Sequence, residues 1–457
     1  MSKHMDLSVR VPIEQDNPSI IREEELCIKC GMCRNVCQEK IGVHGTYTLE
    51  ETGDRAICIH CGQCANVCPV NSIHERYEYG NVREAIQNPE KVVIVSTSPS
   101  VRAALGEAFG MPEGSFVEGK MVALLRKLGF DYVLDTNFAA DLTIMEEAAE
   151  LIERLKAGER LPQFTSCCPA WVEYVETYYP ELMGHLSTAK SPISMQGPTI
   201  KTYFAGQKEI RPETIVNVAL TPCTAKKYEI RREELHGAAD YLQNPEIRDM
   251  DYVITTRELA RWAKEEGIDF AALEDGNYDD LMSEASGGGV LFGNSGGVME
   301  AALRTAYYMI TGENPPADLL EYEPVRGTEG VKTGTVTIGE QTLKVAAVYG
   351  TANAKKLIES WKQGDVHYDF IEVMTCPCGC IGGGGQPKEY LMMSGTLHEN
   401  RMKALYRKES GTKLRSSYEN PEIIELYQKF YGAPLHELSE KMLHTHYRDR
   451  SGDLGKK

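Results

Sequence analysis

The metal-binding chemistry of this chain is concentrated in its cysteines. The 457 residues include 14 cysteines, which stand in groups rather than along the whole chain. Eight lie between residues 27 and 68, two are adjacent at 167 and 168, one stands at 223, and three lie between 376 and 380. Disulfide frameworks belong to small secreted domains, whereas grouped thiols in a long chain without an apolar leader indicate metal ligands. We therefore expect these thiols to bind metal.

Two matched cysteine runs stand near the N-terminus. Residues 27–37 and 58–68 both follow the pattern Cys-x2-Cys-x2-Cys-x3-Cys. In bacterial ferredoxins, three cysteines of such a run bind one [4Fe–4S] cluster and the fourth binds the other cluster. A pair of zinc sites is the alternative, because Cys-x2-Cys pairs also bind zinc. On the ferredoxin interpretation the ligands of one cluster are Cys27, Cys30, Cys33 and Cys68, and those of the other are Cys58, Cys61, Cys64 and Cys37.

Apolar, β-branched runs alternate with helical stretches after residue 80. This alternation predicts parallel α/β sheets, in which ligands bind at the carboxyl ends of the strands. Loops rich in serine, proline, glycine and cysteine stand at such ends, at 96–100, 221–227 and 372–380. A glycine-rich segment at 286–298 lacks the spacing of a dinucleotide-binding loop, so we interpret it as a tight packing turn.

Three separated motifs contain the remaining cysteines. They are TSCCPAW (165–171), TPCTAKKYE (221–229) and EVMTCPCGCIGGGGQP (372–387). In sequence and in order they resemble the three signature motifs of [FeFe]-hydrogenases, and the resemblance extends over essentially the whole chain. It implies reversible oxidation of H2 to protons and electrons at a [4Fe–4S] cubane joined to a two-iron unit that carries CO, cyanide and azadithiolate ligands. The cubane ligands implied in this way are Cys168, Cys223, Cys376 and Cys380, and Cys380 also bridges to the two irons.

The resemblance also implies roles for residues around the two irons. Cys167 is the thiol that exchanges a proton with the bridging amine. Lys226 and Ser100 are expected to hydrogen-bond the cyanide ligands, with Pro99 shaping the loop, because an ammonium facing an anionic ligand forms a strong charge-assisted hydrogen bond. Met374 is expected to pack against the cluster as an apolar wall.

A proton path is implied between this site and solvent. The family pattern places it on Glu147, Glu150 and Arg154, together with Ser187. The first three residues stand at i, i+3 and i+7, which puts them on one stripe of a helix. Spacing alone favours a solvated charged face held by surface salt bridges, and the surrounding family resemblance reverses that preference.

The sequence departs from the family pattern at positions around the predicted two-iron site. Thr221 stands where well-studied members have methionine, Ser98 where they have alanine, and Ile193 where they have glutamine. The third motif also contains an extra thiol, Cys378. Residues that surround the ligands tune the reduction potential of a cluster more readily than they abolish cluster binding. We therefore expect a divergent subgroup in which the balance between H2 oxidation and H2 evolution is shifted. Cys378 is expected to be a spare buried thiol, with protection against oxidation as the alternative role.

These features predict two domains. Residues 1–85 are expected to form a small α+β domain like a bacterial ferredoxin, with two [4Fe–4S] clusters. Residues 86–457 are expected to form an α/β catalytic domain of two lobes, with mainly parallel sheets around the active-site cluster and a C-terminal small-lobe tail.

Charge and apolar content limit the partners. The formal net charge is −18, which argues against nucleic acid and anionic membranes. The sequence contains no apolar run of about 18 residues and no secretory signal, so we expect a cytoplasmic enzyme. No nucleotide-binding or flavin motif stands out, which favours a ferredoxin or flavodoxin as electron carrier. Maturation proteins are expected to supply the two-iron unit.

Two other functions fit the same family. One is a hydrogen-sensing or regulatory relative of low turnover, and the other is a non-catalytic iron–sulfur scaffold. Cys167, Lys226, Ser100 and Met374 together favour catalysis over both, because such relatives lose the relay cysteine or the two-iron environment. A subunit of an electron-bifurcating complex is a third possibility, in which a partner would bind the pyridine nucleotide.

Overall fold

The computed structural model describes residues 9–388 and 396–455. The predicted domains at 1–85 and 86–457 therefore both extend beyond the described residues. Three sheets organise these residues. The strands are β1 Ile20–Arg22, β2 Ile73–Glu75, β3 Val92–Thr97, β4 Tyr132–Asp135, β5 Gln163–Phe164, β6 Ile215–Thr221, β7 Tyr252–Thr255, β8 Val331–Ile338, β9 Gln341–Tyr349 and β10 Phe370–Met374.

The helices follow the strands in the alternation that the sequence predicted. They are α1 Met32–Val36, α2 Gln63–Asn66, α3 Tyr79–Gln87, α4 Pro99–Arg102, α5 Glu118–Leu128, α6 Thr136–Ala157, α7 Pro169–Tyr178, α8 Pro192–Thr199, α9 Ala205–Gln207, α10 Lys226–Glu229, α11 Gly237–Leu242, α12 Thr256–Glu265, α13 Gly287–Leu291, α14 Gly297–Thr311, α15 Ala317–Leu320, α16 Thr351–Lys362, α17 Leu397–Gly411, α18 Pro421–Leu426 and α19 Glu437–Leu443.

A two-stranded antiparallel sheet closes the cysteine-rich N-terminal segment. Strand β1 pairs with β2, so that Ile20 lies opposite Glu75. The pairing brings the two cysteine runs together, and a short helix begins within each run, α1 after Gly31 and α2 after Gly62. Both glycines have positive φ, a conformation that costs glycine little. This small α+β unit agrees with the ferredoxin-like region that the sequence predicted.

Two four-stranded sheets form the body of the chain, as predicted for two lobes. One has the order β4-β3-β6-β7 with all neighbours parallel. The other has the order β5-β10-β9-β8, and only the β8–β9 pair is antiparallel. The strands of a parallel sheet are covered on both faces, and those of the first sheet are almost entirely buried. The prediction of mainly parallel sheets is confirmed.

Two long helices, α6 and α14, lie between the sheets and pack against each other. Ile144, Ala148 and Leu151 on α6 pack into one apolar cluster with Ala302 and Leu303 on α14. The glycine-rich segment 286–298 contains helix α13, the predicted turn at residues 292–296 and the first residues of α14. An added Cβ on its Gly289 would lie only 2.6 Å from the carbonyl oxygen of Asn137, so the close approach of α13 to α6 requires glycine.

The C-terminal residues form a strap across the body. Ala189 forms an isolated β-bridge with His444, and the amide of Thr445 donates to the Thr188 carbonyl at 2.8 Å. Leu454 then packs in an apolar cluster with residues of the N-terminal segment, including Tyr47. None of the helices in the described part of the chain is long and apolar enough to span a membrane.

Candidate active site

Four cysteines from the three motifs meet in one cavity between the two sheets. Cys168 precedes α7, Cys223 follows strand β6, and Cys376 and Cys380 follow strand β10. All four line the cavity. Each is held on a loop at the carboxyl end of a buried parallel strand, which is where such sheets place their ligand sites.

The other residues predicted around the two irons line the same cavity. They are Ser98, Pro99, Ser100, Cys167, Ile193, Thr221, Lys226 and Met374. The pairing of β3 with β6 and of β5 with β10 brings together segments that are 123 and 207 residues apart in the sequence. The structure brings together every residue that the sequence assigned to this environment.

Ser100 and Lys226 are two of the polar groups at this wall. The Ser100 side chain is fully buried, and its Oγ has no hydrogen-bond partner among the described residues. The Lys226 Nζ lies 2.7 Å from Glu229 Oε2 and donates to the Cys167 carbonyl at 3.2 Å. Burial alone would lower the pKa of Lys226, but Glu229 and Cys223 raise it above its ordinary value. The cavity is therefore provided with a buried cation and an unused hydroxyl donor.

The predicted proton path lies on α6, behind Cys167. Glu147, Glu150 and Arg154 are 1%, 8% and 7% exposed, so they do not form the solvated face that spacing alone allowed. Arg154 donates to Glu150 Oε1 at 2.6 Å, and the fully buried Ser187 donates its hydroxyl to Glu150 Oε2 at 2.7 Å. Arg154, Glu150 and Ser187 are therefore joined by direct hydrogen bonds.

Glu147 stands between this pair and Cys167. Neither carboxyl oxygen of Glu147 has a hydrogen-bond partner in the part of the chain that the structure describes. Burial, reinforced by the charges of Glu150 and Glu372, raises the pKa of Glu147 to about 8. Burial, followed by the charge of Glu147, also raises the pKa of the Cys167 thiol. Both groups therefore hold their protons near neutral pH.

A second cavity lies in the N-terminal segment. Its lining includes Cys37, Cys58, Cys61 and Cys64, the four cysteines that the ferredoxin spacing assigned to one cluster, among apolar side chains. Cys61 of this group faces Cys376 of the active-site cavity. Within residues 9–388 and 396–455, no group of three or more His, Cys, Asp or Glu side chains could hold a single metal ion.

The other four N-terminal cysteines lie nearer the surface. Cys30 is exposed, and Cys27, Cys33 and Cys68 are partly buried. Cys33 and Cys68 pack against the same small apolar cluster as Cys37 and Cys58. The two groups of four are thus arranged in order from the surface towards the active-site cavity.

Three family models together match 372 of the 457 residues. The model described as "Iron only hydrogenase large subunit, C-terminal domain" matches residues 91–384, which include the four cavity cysteines. The chain belongs to the iron-only hydrogenase family. Models described as "Iron hydrogenase small subunit" and "4Fe-4S binding domain" match residues 396–450 and 52–74. This hydrogenase is therefore an oxidoreductase that acts on hydrogen and contains iron–sulfur clusters, as the sequence predicted.

Individual relatives agree with the family. The NADP-reducing hydrogenase subunit HndD of Solidesulfovibrio fructosivorans is 46% identical over 450 residues, covering 94% of this chain and 75% of the relative. Iron hydrogenase 1 of Clostridium pasteurianum is 40% identical, covering 95% and 77%. The solved structure of an apo [FeFe]-hydrogenase from Chlamydomonas reinhardtii has a TM-score of 0.70 and 40% identity, covering 80% of this chain and 98% of that chain.

Iron–sulfur assembly proteins are also similar to this hydrogenase, at lower identity. The cytosolic iron-sulfur assembly component 3 of Bos taurus is 32% identical over 383 residues, covering 80% of this chain and 76% of the relative. Assembly proteins of the kind that we considered from the sequence are therefore among the relatives of this chain. The residues of the cavity have to distinguish the scaffold function from catalysis.

Sequence reasoning missed part of the cavity wall of this hydrogenase. Thr136 and Ala140 on α6, Pro192 before Ile193, and Phe292 after α13 also line the cavity. Thr136 directly follows strand β4, so the rule on strand carboxyl ends could have found it. Phe292 lies in the glycine-rich segment that was interpreted only as packing, and nothing in its local sequence marks it.

Cys378 lies away from this wall. It packs with Ile381, Met402 and Leu405 in a separate apolar cluster and is 4% exposed. Its φ of +56° is a conformation that residues other than glycine rarely adopt, and its carbonyl accepts from the Ser295 amide at 2.9 Å. This placement agrees with a buried thiol outside the ligand set.

Proposed function

We propose that this protein catalyses the reversible oxidation of H2 to protons and electrons at the cavity lined by Cys168, Cys223, Cys376 and Cys380. One observation carries the proposal: four thiols from three distant motifs converge with a buried cation and an unpartnered buried hydroxyl. Four thiols are the ligand set of a [4Fe–4S] cubane. Cys380 is the thiolate that would bridge to the two irons.

The cavity fits the group that the family implies. The unpartnered Oγ of Ser100 and the ammonium of Lys226 supply donors for anionic cyanide ligands, and Met374 and Phe292 supply an apolar wall. When bound, the cluster supplies the metal chemistry that makes or breaks the H–H bond. The protein residues hold it, exclude water and provide paths for protons and electrons. Ser98, Pro99, Thr221 and Ile193 complete the proposed binding surface.

Protons are proposed to move along buried side chains. Cys167 at the cavity exchanges its proton with Glu147, and Ser187 and Glu150 continue the path to Arg154. Glu147 suits this role because a carboxyl with a pKa near neutrality both gives and takes a proton at little cost. Its two unpartnered oxygens can hydrogen-bond either neighbour in turn.

Electrons are proposed to travel through two N-terminal clusters. The inner cluster would be held by Cys37, Cys58, Cys61 and Cys64, and the outer one by Cys27, Cys30, Cys33 and Cys68. The electrostatic influence of Cys376 on the pKa of Cys61 and the exposure of Cys30 support this direction. We propose 1–85 as the electron-transfer domain and 86–457 as the catalytic domain, although helix α3 crosses that boundary.

A ferredoxin or flavodoxin is the proposed carrier. The similar HndD is described as NADP-reducing, so a partner subunit that binds pyridine nucleotide is the alternative source of electrons. Maturation proteins are the proposed source of the two-iron unit. The proposed location is the cytoplasm.

Infrared spectroscopy and a turnover assay on protein produced with maturation proteins test the function. We expect CO and cyanide bands together with H2-dependent reduction of a viologen dye. Bands without turnover would support the low-turnover sensor instead, and iron–sulfur clusters without such bands would support the scaffold. The buried, hydrogen-bonded group of Ser187, Glu150 and Arg154 supports the enzyme, because neither alternative needs a buried proton path.

A further inference from the structure

The second cysteine run packs directly on the loops of the active-site cavity. Gly62 has a φ of +68°, and an added Cβ there would lie 2.4 Å from Thr224 Oγ1. An added Cβ on Gly384 would lie 2.3 Å from the carbonyl oxygen of Cys61. Glycine at both positions lets the backbones approach more closely than any other residue would allow. The two cavities are therefore separated by very little protein.

Gln63 occupies this narrow boundary. It lines the inner cluster cavity between Cys61 and Cys64 and is 4% exposed. Its Nε2 donates to the Gly382 carbonyl at 2.9 Å, within the loop that follows Cys380. Burial raises the pKa of Cys376, and the nearby side-chain amide of Gln63, as a hydrogen-bond donor, opposes that rise. A primary amide has two N–H groups, so one can serve Gly382 while the other serves the sulfur.

We propose that Gln63 is a positioning residue for electron transfer, whose amide bridges the inner cluster to the active-site cubane and favours the reduced cubane through Cys376. The inference rests on the proposed function, in which Cys376 is a cubane ligand. One electron passes between the two clusters, and no bond is made or broken. A hydrogen bond to a ligand sulfur stabilises the negative charge that reduction adds, and thereby raises the reduction potential.

The expected effect is modest and measurable. Losing one such hydrogen bond should shift the one-electron reduction equilibrium of the cubane by about threefold to tenfold against reduction. For a one-electron couple, a tenfold change corresponds to about 59 mV.

The test compares Gln63→Met with Asn66→Leu in protein that contains its cubanes but not the two-iron unit. Methionine keeps the length of glutamine and removes both N–H groups. Asn66 donates to the neighbouring Gly383 carbonyl at 3.0 Å and is not among the groups that act on Cys376. Asn66→Leu therefore removes a hydrogen bond from the same interface but leaves the surroundings of the Cys376 sulfur unchanged. A redox titration monitored by electron paramagnetic resonance measures the potential of each cluster.

We expect one cluster of Gln63→Met to become harder to reduce, while Asn66→Leu keeps the wild-type potentials. Unchanged potentials in Gln63→Met, or equal shifts in both variants, would overturn the inference. If Gln63→Met does not fold, Gln63→Glu replaces it, since a carboxylate beside the sulfur must lower the potential further.

A third variant separates this inference from the proposed function. Cys376→Ser should remove the iron and the resonance signal of one cubane. If it removes neither, Cys376 is not a cubane ligand and the proposed function fails together with the inference. If it removes both while Gln63→Met leaves every potential unchanged, only the role of Gln63 is wrong.

Discussion

The protonation of Glu147 can be tested directly by replacing it with glutamine. The carboxyl is buried without a hydrogen-bond partner among the described residues, and its pKa is raised to about 8. The difference from the ordinary value of 4.5 corresponds to about 5 kcal/mol against ionisation in the folded protein. Because burial is the largest cause of this shift and the charge of Glu150 the next, removing the Glu150 charge should lessen the rise in the pKa of Glu147 without abolishing it.

The sign of the effect on stability follows from this shift. The stabilising contribution of neutral Glu147 is complete below about pH 4.5, where the carboxyl is protonated in both states. Between that pH and about 8 the unfolded chain ionises while the folded protein keeps the proton, so stability falls by about 1.4 kcal/mol per pH unit. Above about pH 8 the loss is complete. Glu147→Gln should lack this dependence.

Infrared difference spectroscopy measures the titration without unfolding the protein. The carbonyl absorption of a protonated carboxyl should be lost with a midpoint near pH 8 in the wild type and be absent in Glu147→Gln. Glu153→Gln is the matched control, because it removes an exposed carboxyl from the same helix. If the band that is lost in Glu147→Gln titrates near pH 4.5 in the wild type, or if a band with a midpoint near pH 8 persists in Glu147→Gln, our account of the buried carboxyl is refuted.

Three further predictions concern the cavity. Cys167→Ala should slow turnover by about 10²- to 10⁴-fold while leaving the CO and cyanide bands, and near-full activity in an H2 assay would contradict the relay. Lys226→Met should reduce retention of the two-iron unit by about 10- to 100-fold, measured by infrared band intensity after maturation; full intensity would show that the ammonium is not needed. Thr221→Met should change the ratio of oxidation to evolution currents in protein-film voltammetry, and an unchanged ratio would remove this residue from the explanation of bias.

Local patterns in the sequence predicted the ligands well. The spacing of the cysteine runs gave the group Cys37, Cys58, Cys61 and Cys64, and these side chains line one cavity. Strand endings predicted the loops of the active site, because carboxyl ends of parallel strands necessarily meet. Both signals depend on residues near one another in the sequence.

Burial of the charged stripe on α6 could not be predicted in the same way. Glu150 is covered by Ser187 and Thr188, and those residues are covered in turn by the C-terminal strap near His444. These contacts join segments separated by up to 256 residues. The spacing of charges along α6 therefore gives no information about them. Phe292 was missed for a related reason, since only the packing of α13 against α6 brings it to the cavity.

The C-terminal strap also sets an order of events during synthesis. The amide of Lys190 donates to the Leu443 carbonyl at 2.8 Å, Thr188 pairs with Thr445, and Tyr447 donates to the Ser187 carbonyl. Translation produces these covering residues after all 14 cysteines and after helix α6. The relay side of the cavity therefore stays uncovered during synthesis until residues 443–447 have been made, and a nascent chain that stops before residue 443 carries all 14 cysteines and an uncovered acidic path.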